Sequence, residues 1–208
     1  MFNHFVKLNR AEVNKQVPRN GGVYIIVLRL FKDMDPVPVY VGSTGMNKTL
    51  AIRLKHYILI VEEPSRGRKQ RPIERLIAEV PPHYLDVTYF CTEDHERIES
   101  LLINRNSAIH FPYLVNSNGI GRYRDTAHQI VDDLIVKISV LEKKTKFFDV
   151  SENLKGVQLV YHEGAISKSG TIVDSSSENN SFIICWMDKQ IEEVTLTKFL
   201  YSSQYQFI

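Results

Sequence analysis

Apolar residues change their period several times along this chain, and each change marks an element. Val23-Tyr24-Ile25-Ile26-Val27-Leu28 is a continuous apolar run rich in β-branched residues, entered through Gly21-Gly22, and it predicts a buried strand. Val37 to Val41 predicts its hairpin partner, and the polar, proline-stopped Lys32-Asp33-Met34-Asp35-Pro36 predicts a connection longer than a minimal turn. Leu50, Ile52, Leu54, Ile58 and Leu59, with polar positions interleaved, predict a helix ending before Pro64, and a second short helix runs through Ile73 to Glu79. Tyr84 to Cys91 has the alternation and aromatic content of a third strand. Asp94 to Ile109 predicts a long helix with Ile98, Leu101, Leu102 and Ile103 packed inward. Phe111 to Val115 is extended and breaks into a turn at Gly119 and Gly121, while Met1 to Asn20 reads as a short helix or an irregular arm.

A further helix over about Thr126 to Lys144 ends in Lys143, Lys144 and Lys146, which suits a helix C-terminus and marks a domain boundary. Beyond it come short strands, Val157 to Tyr161, Gly170 to Val173, Phe182 to Met187 and Glu193 to Leu196, separated by turns such as Asp174 to Asn180. Short strands with frequent turns predict a small barrel or barrel-like sheet. The organisation expected is therefore a domain over 1–146 and a small β-rich domain over 147–208.

Composition narrows the class. The 208 residues are 43% hydrophobic and 24% charged, ordinary for a soluble protein. No apolar run approaches the roughly 20 residues of a membrane span, and the N-terminus lacks an apolar signal-peptide core, so a cytoplasmic protein with no membrane partner is expected. Cys91 and Cys185 lie in separate strands without a second cysteine or histidine at zinc-ligand spacing, and are expected to be buried thiols. The net charge of +2 hides an asymmetry, since residues 1–146 carry 22 Lys and Arg against 16 Asp and Glu, and residues 147–208 carry 4 against 8. A polyanionic partner should meet the first domain, where Arg66-Gly67-Arg68-Lys69-Gln70-Arg71 is the densest basic run.

The chemistry concentrates between Gly22 and Glu99. A hairpin supplies Tyr24 and Tyr40, one helix face supplies Arg53 and Tyr57 four residues apart, and Glu99 sits inside an apolar stretch, either snorkelling at its margin or held in a site. Serine–histidine and cysteine–histidine pairings are absent at recognisable spacing, as are phosphate-cradling glycine loops. The set suits phosphodiester hydrolysis, which needs a proton acceptor for water, a cation beside the developing phosphorane charge and a metal ion at the leaving oxygen. A phenol, with an ordinary pKa of about 10, serves as that acceptor only beside positive charge, and Lys48 and Arg53 are the nearest cations in the sequence.

Gly22-Val23-Tyr24, Tyr40-Val41-Gly42, Arg53 with Tyr57, Glu99, and Asn116 after Pro112 resemble, in order and rough spacing, the motifs of the GIY-YIG endonuclease family over about residues 20–121. The resemblance implies an α+β fold with a small three-stranded antiparallel sheet flanked by helices, cutting duplex DNA with one Mg²⁺ or Mn²⁺ ion per site. It implies that Glu99 holds the metal, Arg53 contacts the scissile phosphate, Tyr24 is the base for the attacking water, Tyr40 and Tyr57 orient water or phosphate, and Asn116 buttresses the site. Arg66, Arg68, Lys69 and Arg71 are the expected DNA-facing loop, with Arg122 and Arg124 as secondary contacts. Three departures stand out: a longer hairpin, Pro112 one residue further from Asn116 than usual, and Ser43 where many relatives carry lysine, so that the activating cation must come from elsewhere.

The tail Asn116 to Gly121 looks like that of some restriction endonucleases, and a homodimer fits if both strands of a palindrome are cut. The second domain looks vaguely SH3-like. A type II restriction endonuclease is the reading adopted; a structure-specific repair or mobile-element nuclease, and a catalytically inactive nucleic-acid-binding module, are the alternatives.

Overall fold

The structure, a computed structural model, describes residues 4–30, 35–45, 48–66, 71–103, 114–116, 124–144, 154–176, 179–202 and 204–208. It is a mixed α+β protein whose described residues form two antiparallel sheets and six helices. The chain divides into two compact units, one of Met1–Leu28 with Pro36–Val131 and one of Arg29–Asp35 with Asp132–Ile208. Among the described residues no helix is long and apolar enough to cross a membrane.

In the first unit the predicted hairpin and third strand are β2 (Gly22–Leu28), β3 (Val37–Ser43) and β4 (Leu85–Cys91). The sheet has four strands rather than three, in the order β1-β4-β2-β3, because the two-residue β1 (Val6–Lys7) adds to the edge of β4. Two residues are too few to leave a periodic signal; what holds β1 is its register, with Lys7 Nζ 2.7 Å from the buried Asp86 Oδ1. β2 is central and every residue of it is buried, which is why its sequence is continuously apolar.

Antiparallel register sorts the side chains by face. Tyr24 lies opposite Gly42, and Tyr40 opposite Ile26, on one face; Val23, Ile25, Val27 and Val41 fill the other. Against the latter pack Ile103 and, more loosely, Ile98 and Leu102 of α4 (His95–Ile103), together with Leu114. Each fully buried aliphatic side chain in this layer contributes about 1.5–3 kcal/mol relative to exposure. Leu101 departs from expectation: it is 51% exposed, lying off the stripe that Ile98, Leu102 and Ile103 form at helical spacing. The remainder of the predicted helix, 104–109, lies outside the described residues.

α1 (Arg10–Gln16) starts where the Asn9 side chain accepts from Glu12 N, at 2.9 Å. α2 (Leu50–Glu62) is capped likewise by Thr49, and α3 (Pro72–Glu79) begins one residue earlier than predicted, with proline at its first position, where no N–H is needed. Cys91 is exposed, not buried, because β4 emerges from the core over its last three residues; Cys185 is half-buried.

α5 (Arg124–Lys144) spans the point where the units divide. Of the second unit, β5 (Gln158–Glu163), β6 (Ile166–Ser176), β7 (Ser181–Trp186), β8 (Ile191–Thr195) and β9 (Tyr205–Phe207) form one antiparallel sheet in the order β8-β7-β6-β5-β9. The expected all-β character is broken by α6 (Leu196–Tyr201), which starts where the Thr195 side chain accepts from Lys198 N. Gly170 lies opposite Trp186, where a Cβ would stand 2.5 Å from the indole. Lys137, buried on α5, donates to Phe199 O, Leu200 O and Ser202 O at 2.6, 2.9 and 2.6 Å, satisfying carbonyls at the C-terminus of α6.

Candidate active site

The two motif glycines are explained by what touches them. A Cβ on Gly42 would stand 2.3 Å from the Tyr24 hydroxyl, and one on Gly22 would stand 2.3 Å from Phe90 O. Glycine opposite Tyr24 lets the ring lie flat across β3, and so decides where its hydroxyl ends up. From α2, on the same side, Tyr57 meets it: the hydroxyls are 3.3 Å apart, and the rings of Tyr24, Tyr40 and Tyr57 form a triangle with centroids 6.3, 6.1 and 6.0 Å apart. Tyr57 hydrogen-bonds to Tyr24 and packs edge-on against Tyr40.

Arg53, one turn before Tyr57, brings its half-buried guanidinium to Tyr24. Its Nε is buried and has no hydrogen-bond partner among the described residues. An unpartnered buried donor on a fixed cation is costly.

Burial raises all three phenols above the ordinary tyrosine value, and mutual repulsion between neighbouring rings adds to it. Opposing this at Tyr24 are the hydrogen bond with Tyr57 and the charge of Arg53. At Tyr40 and Tyr57 the opposing charge is Arg71, while Glu99 raises Tyr40 further. Burial pulls Arg53 down, but the phenols beside it win and it stays above the ordinary arginine value. All three phenols are therefore protonated at neutral pH in the free protein, and only added positive charge makes one of them an acceptor.

Glu99 reaches the site from the other face, at the outer edge of β3. Its Oε2 accepts from Ser43 Oγ at 2.5 Å, and the carboxylate lines a cavity of about 110 Å³ with Tyr40, Arg71, Ile103, Val115 and Asn116. Ser43 thus holds the carboxylate. Asn116 is buried and clamps β3: its Nδ2 donates to Val41 O at 2.7 Å and its Oδ1 accepts from Val41 N at 3.0 Å, while Val115 N donates to Val39 O at 2.8 Å. An amide side chain here takes the place of a neighbouring strand's backbone, closing the edge next to Tyr40 and Gly42.

One carboxylate beside a hydroxyl is a donor set that fits a hard divalent ion, which keeps much of its water and draws further oxygens from substrate. Three His, Cys, Asp or Glu side chains do not cluster among the described residues, so a closed all-protein cage is not formed there.

Of the expected DNA-facing residues, Arg71 alone has a described side chain. It is turned into the site: Nε donates to Glu74 Oε1 at 2.7 Å, Nη2 is hydrogen-bonded to the same oxygen, and Nη2 is 3.3 Å from His56 Nε2. Arg66 ends a 3-10 turn (Pro64–Arg66) and Arg124 begins α5, each with its backbone alone described; Arg68, Lys69 and Arg122 lie outside the described residues. Lys48, the other cation considered for a phenol, lines a different cleft of about 670 Å³ with Gly21, Thr44, Cys91 and His95.

Two residues escaped sequence reasoning. Glu74 is buried, and although burial alone would raise it, its hydrogen bonds from Arg71 and His56 hold it below the ordinary carboxylate range. The signals were there in the i,i+3 spacing of Arg71 to Glu74 and in His56 preceding Tyr57, but both fit an ordinary solvated helix equally well. Compared with protein-family models, with characterised proteins and with solved structures, the chain has no match.

Proposed function

We propose that this chain is a metal-dependent DNA endonuclease of the GIY-YIG kind, and that it acts as a type II restriction endonuclease. The observation that carries the reading is the convergence of three phenols and the Arg53 guanidinium on one side of β3 with Glu99 at its edge. In the hydrolysis, a water oxygen forms a new bond to phosphorus as the bond from phosphorus to the leaving sugar oxygen breaks. The water's proton passes to Tyr24 once Tyr24 has given its own proton to solvent; the Tyr57 hydrogen bond and the Arg53 charge favour that ionisation, and burial opposes it. The half-buried Arg53 guanidinium bonds the phosphate oxygen on which charge builds. Tyr40 orients the incoming groups, Ser43 fixes the Glu99 rotamer, and the leaving oxygen takes its proton from solvent. A Mg²⁺ or Mn²⁺ ion held by Glu99 would supply charge stabilisation at the leaving oxygen.

The three-stranded GIY-YIG core is, on this reading, β4-β2-β3, with β1 as an addition, and the second unit is an SH3-like module. Purified protein with Mg²⁺ should cut duplex DNA, and sequencing the fragment ends should return one fixed site. Inertness on plasmid, phage and branched DNA with either Mg²⁺ or Mn²⁺ would end the enzyme reading; cutting confined to branched DNA would move it to structure-specific repair.

A further inference from the structure

With serine at position 43 and Lys48 elsewhere, the phenols farthest from Arg53 need another source of positive charge. We propose that Arg71, at the N-cap of α3, is the second catalytic cation of this site, acting on Tyr40 and Tyr57 and on the phosphate bound beside them. This inference rests on the nuclease reading above and names the residue that completes it.

The phenols form a triangle, with Arg53 beside Tyr24 and Arg71 on the side of Tyr57 and Tyr40, sharing a cavity with Tyr40. A negative charge on any of the three phenols is therefore flanked by a guanidinium. Arg71 also lines the cavity that holds Tyr40, Glu99 and Asn116, so it faces the reacting groups and not bulk solvent alone. Its placement is enforced: Pro72 starts α3, and two hydrogen bonds to the buried Glu74, itself held by His56 Nε2 at 3.0 Å, fix the fork. A planar guanidinium gripped through one edge keeps its other donors in a set direction. The charged and titratable groups around Tyr40 are Tyr57 and His56 from α2, Tyr24 from β2, Arg71 and Glu74 from α3, and Glu99 from α4.

A plainer role for Arg71 is to neutralise Glu74, and a third is to grip the DNA backbone. Single-turnover cutting at saturating DNA, DNA affinity measured in Ca²⁺ where cutting is arrested, and thermal melting separate the three. Arg71→Ala should slow cutting on the order of 100-fold, leave affinity within about 3-fold, since one phosphate contact among several is lost, and move the rising limb of the pH–rate profile to higher pH. Arg71→Lys should recover part of the rate. The double variant Arg71→Ala with Glu74→Gln, which removes the unpaired carboxylate, should melt like wild type yet stay slow. Recovery of cutting in that double variant, or a loss of affinity equal to the loss of rate, overturns the inference while the nuclease reading stands. A wild type that does not cut at all overturns both.

Discussion

Each unit buries a basic side chain against oxygen atoms, and the two do it to opposite ends. Lys137 in the second unit has three N–H donors and three carbonyl acceptors, so nothing is left over. Arg53 in the first unit faces phenols and keeps a buried Nε with no partner among the described residues. A buried cation whose donors are all satisfied caps a helix end; on the proposed reading, the guanidinium left with a spare donor meets a phosphate. Both side chains are basic and withdrawn at least in part from solvent; the accounting of donors is what differs.

Substitutions at the two cations test this most directly. Arg53→Ala should reduce cutting by about 10³-fold with a melting temperature close to wild type, and Glu99→Ala should behave alike; undiminished cutting by either variant breaks the comparison. Lys137→Met should do the reverse, lowering unfolding free energy by about 2–3 kcal/mol because three carbonyls lose a charged donor, with the cutting rate per folded molecule unchanged. Gly42→Ala lies between, since the added methyl must displace Tyr24: a stability loss of about 1–3 kcal/mol in urea unfolding, together with lost cutting. A variant that folds as well as wild type and cuts normally would show that the Tyr24 position is not set by β3.

The smallest effect is on pH dependence. The phenols of Tyr24, Tyr40 and Tyr57 lie above their unfolded value of about 10. The folded state therefore holds these protons more tightly, and the stability they contribute is present below pH 10 and is lost as pH rises above it. Replacing Tyr40 by Phe should flatten that decline in melting temperature, and an unchanged slope would show that Tyr40 ionises as an exposed phenol does.

Much of the first unit could be read from residue order. β2, β3 and β4 leave strong signals because a central buried strand must be continuously apolar and its neighbours alternate, and the motif residues Tyr24, Tyr40, Arg53 and Tyr57 follow from two strands and a helix at ordinary spacing. β1, β9 and α6 were not legible, since two, three and six residues carry too little periodicity and are held by neighbours distant in sequence. Leu101 and Cys91 were misplaced for a related reason, since burial at the margin of a helix stripe or the end of a strand depends on what packs there.

By itself, then, the sequence determined which residue types could do chemistry and on which local element each would sit, because propensity and periodicity act over a few residues. Tertiary structure decided what those groups became. It placed Ser43 on Glu99, Asn116 on Val41 and Arg71 between Glu74 and the phenols, contacts spanning 56 and 75 residues for the first two. No local rule reaches that far: which charge meets which phenol is settled by strand register and helix packing, and a donor is known to be spare only when all its neighbours are in place.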